Sequence, residues 1–366
     1  MTAAMDFGGW VQTRDRRNDR VSTGAAVSLR HQPQKATQKG IGMPVFACFA
    51  AVHALKPANR RAVWSQSSWG LAFVLCAIAP ATAGADTRAC LSLDQRYEQI
   101  KTAASSVERN IMLFSAAAQD CLPLAKRLLE AGASLESRDK LGNMVLGVAA
   151  REGNLALVTL FLDQKAALDA RNLEGSTALF QASEAEHLAV AKALLEKGAD
   201  PNIAGRSAIA PLSAAAYTGN SELVAVLLAK GAEPRAVDAT GKTAIIYAAG
   251  RAYTSVVQRL LDTGIDVNAR YGNDLTALMW AAGHSEEAGA ADVLETLKLL
   301  IGKGAKLDDA DDRGRTALMT AAELGHKIAV EVLIKAGANG GLRDKDGKTA
   351  TDLAPDDATR TLLAAK

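Results

Sequence analysis

Beyond residue 86 few side chains could do chemistry: His187, His284 and His326, the cysteines Cys90 and Cys121, and the acidic run Asp308-Asp309-Ala310-Asp311-Asp312. His187 and His326 fall at the same place in a repeating pattern, the entry to a second helix, so capping or steadying that turn accounts for both. No grouping of the three histidines has the spacing of a metal site. His284 lies beside a seven-residue insertion and is the one imidazole open to a ligand or catalytic role; an isolated histidine near a loop is more often a surface residue. Each Ser and Asp near a histidine is explained by a turn or cap position, which leaves no Ser/His/Asp grouping. The acidic run lacks the spacing and the closing Glu of a calcium loop. Asp311 falls where Asp139, Asp238 and Asp344 also fall, so hydrogen bonding within a turn explains it better than weak cation binding. There is no Gly-rich phosphate loop, and no cofactor is required.

Other residues point to binding rather than catalysis. Tyr247 and Trp280 hold equivalent positions in adjacent units, and Trp280 is the only tryptophan after residue 86. Tyr217 and Arg251 lie a turn further along on neighbouring units, with Arg151, Glu184 and Glu323 near the same register. Aromatic and Arg side chains are over-represented among interface hot spots, which makes these seven a candidate partner-binding face. Tyr247 and Trp280 could equally fill the seam between units, since their rings must pack somewhere. Tyr217 and Arg251 are expected to be exposed.

The elements that would position these residues are set by a repeat. Thr177-Ala178-Leu179, Thr243-Ala244-Ile245, Thr276-Ala277-Leu278, Thr316-Ala317-Leu318 and Thr349-Ala350 share one register, and Ile111, Met144 and Ala210 begin degenerate copies. The steps are 33 residues except the one from Thr276 to Thr316, which is 40. A fixed period of that size means stacked units, none of which buries its apolar face alone. Five residues after each start stands alanine: Ala116, Ala149, Ala182, Ala215, Ala248, Ala281, Ala321 and Ala354. A larger side chain there would hold neighbouring first helices apart. A second helix follows, ending in an apolar pair such as Leu128-Leu129 or Phe161-Leu162, and then in a glycine such as Gly132 or Gly198. Glycine suits that left-handed cap because it has no Cβ; Lys165 holds the position once and must accept the strain or shift the turn. Tight β-turn fingers join successive helix pairs through Gly175, Gly241, Gly314 or Gly347. The additional residues Ser285-Glu286-Glu287-Ala288-Gly289-Ala290-Ala291 fit either two more helical turns or a protruding loop.

These residues resemble the ankyrin repeat family. The stretch Gly175-Ser176-Thr177-Ala178-Leu179 through Leu194-Leu195-Glu196-Lys197-Gly198-Ala199-Asp200 follows that family's unit, with Glu186 in place of the usual inter-helix glycine. Gly153-Asn154, Gly219-Asn220 and Gly325-His326 match the inter-helix turn. The resemblance runs from about Ile111 to the C-terminus. It implies an all-α solenoid of about eight repeats with β-turn fingers, binding a protein through the finger tips and the concave face of the first helices.

The front of the chain differs. Residues 1–85 carry 10 Lys/Arg against 3 Asp/Glu, and residues 86–366 carry 32 against 37, so the array is mildly acidic at −5. A clustered basic patch is the footprint of nucleic-acid binding, and the array has none, so no nucleic-acid partner is expected. Residues 1–62 read as an extension, disordered or outside a true start such as Met43. Residues 63–85 follow Asn59-Arg60-Arg61 and hold a short apolar run from Trp69 to Ile78, then Ala81-Thr82-Ala83-Gly84-Ala85. A basic start, an apolar core and an A-x-A site make up a secretory signal peptide, with cleavage near Ala83 or Ala85. The apolar run is shorter than the ~20 residues of a membrane span, so no stable span is expected after cleavage. A twin-arginine route fits Arg60-Arg61 but not its neighbours. Cys48 and Cys76 would leave with the leader. Cys90 and Cys121 would then meet an oxidising compartment as a candidate disulfide, tying a capping segment at 86–110, helical from Leu93 to about Val107, to the array at 111–366.

The function expected is that of a non-enzymatic interaction scaffold, exported to the periplasm or beyond a bacterial cell. It would be monomeric, with its C-terminal end capped by polar Asp352, Asp356 and Asp357. Two alternatives stand beside it: a secreted effector that binds a host protein, and an enzyme using the insertion near His284.

Overall fold

The computed structural model describes residues 87–364; the extension, the signal-peptide segment, Cys48 and Cys76 lie outside them. Among the described residues there are seventeen α-helices, and the only β pairing is an isolated antiparallel bridge between Tyr271 and Leu275. The N-terminal helix α1 (Thr87–Ile100) precedes eight consecutive pairs. These are α2 (Ser106–Ala118) with α3 (Leu122–Glu130), α4 (Val145–Arg151) with α5 (Leu155–Asp163), α6 (Ala178–Glu184) with α7 (Leu188–Glu196), and α8 (Pro211–Thr218) with α9 (Ser221–Ala229). There follow α10 (Ala244–Gly250) with α11 (Thr254–Leu261), α12 (Ala277–Ala282) with α13 (Ala290–Gly302), α14 (Ala317–Glu323) with α15 (Lys327–Lys335), and α16 (Ala350–Leu353) with α17 (Asp357–Ala364). First helices pack on first helices, α2 on α4 and so on to α16, while second helices from α3 to α17 form a parallel layer.

The repeated threonine is the N-cap of five first helices, α6, α10, α12, α14 and α16. Thr177, Thr276, Thr316 and Thr349 accept the amide N–H three residues on into their side-chain oxygens at 3.2–3.4 Å, satisfying a donor that the helix leaves orphaned. All eight alanines five residues into the register are at most 2% exposed. The first member of each apolar pair, from Leu128 and Phe161 to Leu300 and Leu333, is fully buried. The core is therefore a continuous seam between the two helical layers rather than a centre.

Lys165 accepts the left-handed conformation (φ 62°), as do Asp120, Glu186 and Ala252 at inter-helix turns where glycine would carry no Cβ clash. Five fingers share one device: Asp139, Asn172, Asp238, Asp311 and Asp344 each accept two backbone N–H groups, two and four residues on, through one side-chain oxygen. Two fingers lack that residue. Where Gly205 replaces it, a Cβ would lie 2.6 Å from the Phe180 ring, and the turn is rebuilt with Ser207 and Ala208 both left-handed. Asn273 and Asp274 do the same in the finger that opens on Tyr271.

Two expectations need correction. The leading helix is Thr87–Ile100, not Leu93 to about Val107, because Ser105 and Glu108 form a capping box that opens α2. Ile111 thus lies inside α2 rather than at its start. The insertion is neither two helical turns nor only a loop. It lengthens the connection before α13 and extends α13 to 13 residues, where α15 has 9.

A disulfide joins Cys90 in α1 to Cys121 at the start of α3, with Cα atoms 5.4 Å apart. Among the described residues no helix is long and apolar enough to cross a membrane.

Candidate functional site

The first helices end in a row that gathers most of the candidate residues. Tyr217 at the end of α8 meets Tyr247 of α10 edge to face, with ring centroids 5.9 Å apart. The Arg251 guanidinium lies 4.7 Å from the Tyr217 centroid and 5.7 Å from that of Tyr253, within the range of cation–π attraction. It also donates to the Tyr253 hydroxyl at 3.2 Å and to Glu287 of the insertion at 3.0 Å. Burial opposes the charge on Arg251, but the Tyr253 hydroxyl and Glu287 outweigh it and hold the group more firmly protonated than usual. Tyr217 and Arg251 are therefore half-buried against each other, not freely exposed as the sequence led one to expect.

The adjoining aromatic positions divide. Trp280 is 6% exposed and belongs to the seam between units. Tyr247 is half-buried and donates its hydroxyl to Asp238. Burial and that bond raise the phenol far above its usual range. Burial would raise Asp238 as well, but the hydroxyls of Tyr247 and Thr240 and the N–H groups of Lys242 and Thr240 hold it low. The Lys242 ammonium stands 5.2 Å from the Trp280 ring centroid and 5.9 Å from that of Tyr247.

The three remaining candidates sit in ion pairs. Arg151 is exposed and pairs with its neighbour Glu152 at 3.0 Å. Glu184 pairs with Arg206 of the next finger, and its burial raises the carboxyl despite that cation. Glu323 pairs with Arg315, which also faces buried Asp344 at 3.5 Å.

His187 and His326 stand at the entry of α7 and α15, where each ring nitrogen meets a carbonyl of the preceding unit, Arg151 at 2.9 Å and Ala282 at 3.0 Å. Their turn-steadying role thus reaches across units. His284 stacks on His326 at 3.9 Å between centroids and meets the Ser285 carbonyl at 2.9 Å, so it packs the insertion loop. Among the described residues no three His, Cys, Asp or Glu side chains are grouped to hold a metal. Sequence reasoning missed Lys242, Tyr253 and Glu287. Tyr253 was open to discovery, because it shares the register of His187 and its ring covers Gly219 as the His187 ring covers Gly153.

The family model of ankyrin repeats, built of three copies, matches residues 113–204, 212–294 and 287–365. The chain belongs to the ankyrin repeat family. The gap between the first two matches is the finger at 205–211, where Gly205 replaces the turn-capping residue. No curated protein matches the sequence. Ankyrin repeats are in general protein–protein interaction modules, and no catalytic family is among the matches. On the other layer, Leu294 and Ile301 of α13 and Ile328 and Val332 of α15 line a shallow apolar groove.

Proposed function

We propose that this ankyrin repeat protein is a non-enzymatic scaffold that binds one partner protein through the concave row of first-helix ends around Tyr217 and Arg251. The observation that carries the reading is the Arg251 cluster. Two tyrosines flank the guanidinium, and rings and cation are held by neighbouring helices before any partner arrives. A face ordered in advance loses little side-chain freedom on binding. Trp280 lends rigidity from beneath rather than direct contact.

We also propose that the protein is exported to the periplasm or beyond, with cleavage near Ala83 or Ala85 leaving a monomer with no membrane span. Two observations support this: the signal-like pattern of residues 63–85, and a disulfide of the kind that persists in oxidising compartments.

Expression in a Gram-negative host, osmotic shock, crosslinking and affinity capture test both proposals. The expected outcome is release by shock, an N-terminus at Gly84 or Asp86, and a captured protein that is lost from the Tyr217→Ala/Arg251→Ala variant. An uncleaved cytoplasmic chain would overturn export, and capture indifferent to the double substitution would overturn the face.

A further inference from the structure

At one place along the row of first-helix ends the cations outnumber the carboxylates paired with them. Arg151 has Glu152, Arg206 has Glu184, and Arg315 has both Glu323 and Asp344. Around Tyr217, Tyr247 and Trp280 stand two cations, Arg251 and Lys242. Among the described residues no carboxylate lies within 4.0 Å of the Lys242 ammonium, which rests on aromatic rings instead. Asp238 cannot serve: one of its oxygens takes the N–H groups of Thr240 and Lys242 and the Thr240 hydroxyl, and the other takes the Tyr247 hydroxyl. Glu287 is the remaining anion, and its side chain is 77% exposed at the tip of the insertion while that of Arg251 is 20% exposed.

We infer that this spot receives a carboxylate set among apolar residues of the partner protein, and that Glu287 holds the partner's place on Arg251 in the free protein. The inference rests on the scaffold reading and gives the partner its chemistry. An ion pair whose carboxylate stands largely in solvent contributes little, so Glu287 yields to a carboxylate that brings apolar cover with it. That cover removes water from Arg251 and Lys242 and strengthens their bonds to the incoming anion. The partly exposed Tyr217 and Tyr247 rings supply the apolar contact. A polyanion fits less well, because the array around the spot is net negative.

The test is selection of a random linear peptide display library against the full chain, followed by synthetic twins of each selected peptide. One twin replaces its Asp or Glu with Asn or Gln, and another replaces a C-terminal acid with the amide, which separates a side-chain carboxylate from a chain terminus. Selected peptides should be enriched in acidic residues flanked by apolar ones. Neutralising the twin should weaken binding about tenfold, the scale of one charge-assisted hydrogen bond. Arg251→Gln and, independently, Lys242→Gln should narrow that ratio, each checked for fold by circular dichroism. Glu287→Gln should tighten the acidic peptide by about threefold. Peptides without acidic enrichment that still lose binding in Tyr217→Ala would leave the scaffold face standing and overturn the carboxylate. Failure to select any peptide, or neutral twins that bind equally, would overturn it too.

Discussion

The imidazole of His284 stacks on that of His326 with planes 15° apart, although the two residues belong to successive units. The stack fastens the insertion loop at one end, while Ser285 donates its N–H to the Gly250 carbonyl at 2.8 Å and Glu287 reaches Arg251. The insertion thus spans three units and delivers its carboxylate to Arg251 in the row of first-helix ends.

Acid should loosen that fastening. Burial depresses His326, the Ala282 carbonyl and Glu286 oppose the shift, and His284 adds to it. A histidine depressed in the folded state binds its proton more readily when unfolded. Its contribution is complete above the unfolded value of about 6.5 and is lost as pH falls from there toward the folded value. The midpoint of thermal unfolding should therefore drop below about pH 6.5, and the drop should shrink in His326→Asn. An unchanged profile in that variant would contradict the assignment.

Reduction should act on the N-terminal end. Cys90 and Cys121 are 31 residues apart, and closing a loop of that length is worth about 3–4 kcal/mol on the chain-entropy account. Cys90→Ser/Cys121→Ser should speed amide hydrogen exchange in α1 to α3 while leaving α12 to α15 unaffected, because solenoid units couple mainly to neighbours.

Lys165 and Glu186 are exposed and carry left-handed backbone where the other units mostly have glycine. Lys165→Gly and Glu186→Gly should each stabilise by about 0.5–1 kcal/mol in urea unfolding, the relief of the Cβ clash less the added freedom of the unfolded chain. Ala215→Leu, at a fully buried seam position, should instead cost about 1–3 kcal/mol or more by overpacking.

Tyr247→Phe should remove the donor that faces buried Asp238. Leaving that acceptor without its hydroxyl should cost about 1–3 kcal/mol, read by urea unfolding at neutral pH.

Much of this was legible where the cause is local. Threonine at a helix start, alanine at the seam and glycine past a helix end each act within one turn, so the register announced the fold. The chemistry of the face was less legible. Arg251 meets Glu287 36 residues away and His284 meets His326 through a loop whose path the period does not specify. Nothing in the repeat register marks Lys242, and only the approach of its ammonium to the Tyr247 and Trp280 rings reveals its place. The exposed reading of Tyr217 and Arg251 failed because their mutual contact covers both.

The most direct test of the central claim is site-specific photo-crosslinking in a Gram-negative host that expresses the chain. A photoreactive amino acid would replace Tyr217 in one strain and Lys298 in another, the latter exposed on α13 beside the apolar groove of the opposite layer. The account expects a discrete protein adduct from position 217 and none from 298. An adduct from 298 alone, or equal adducts from both, would contradict a partner held on the first-helix row.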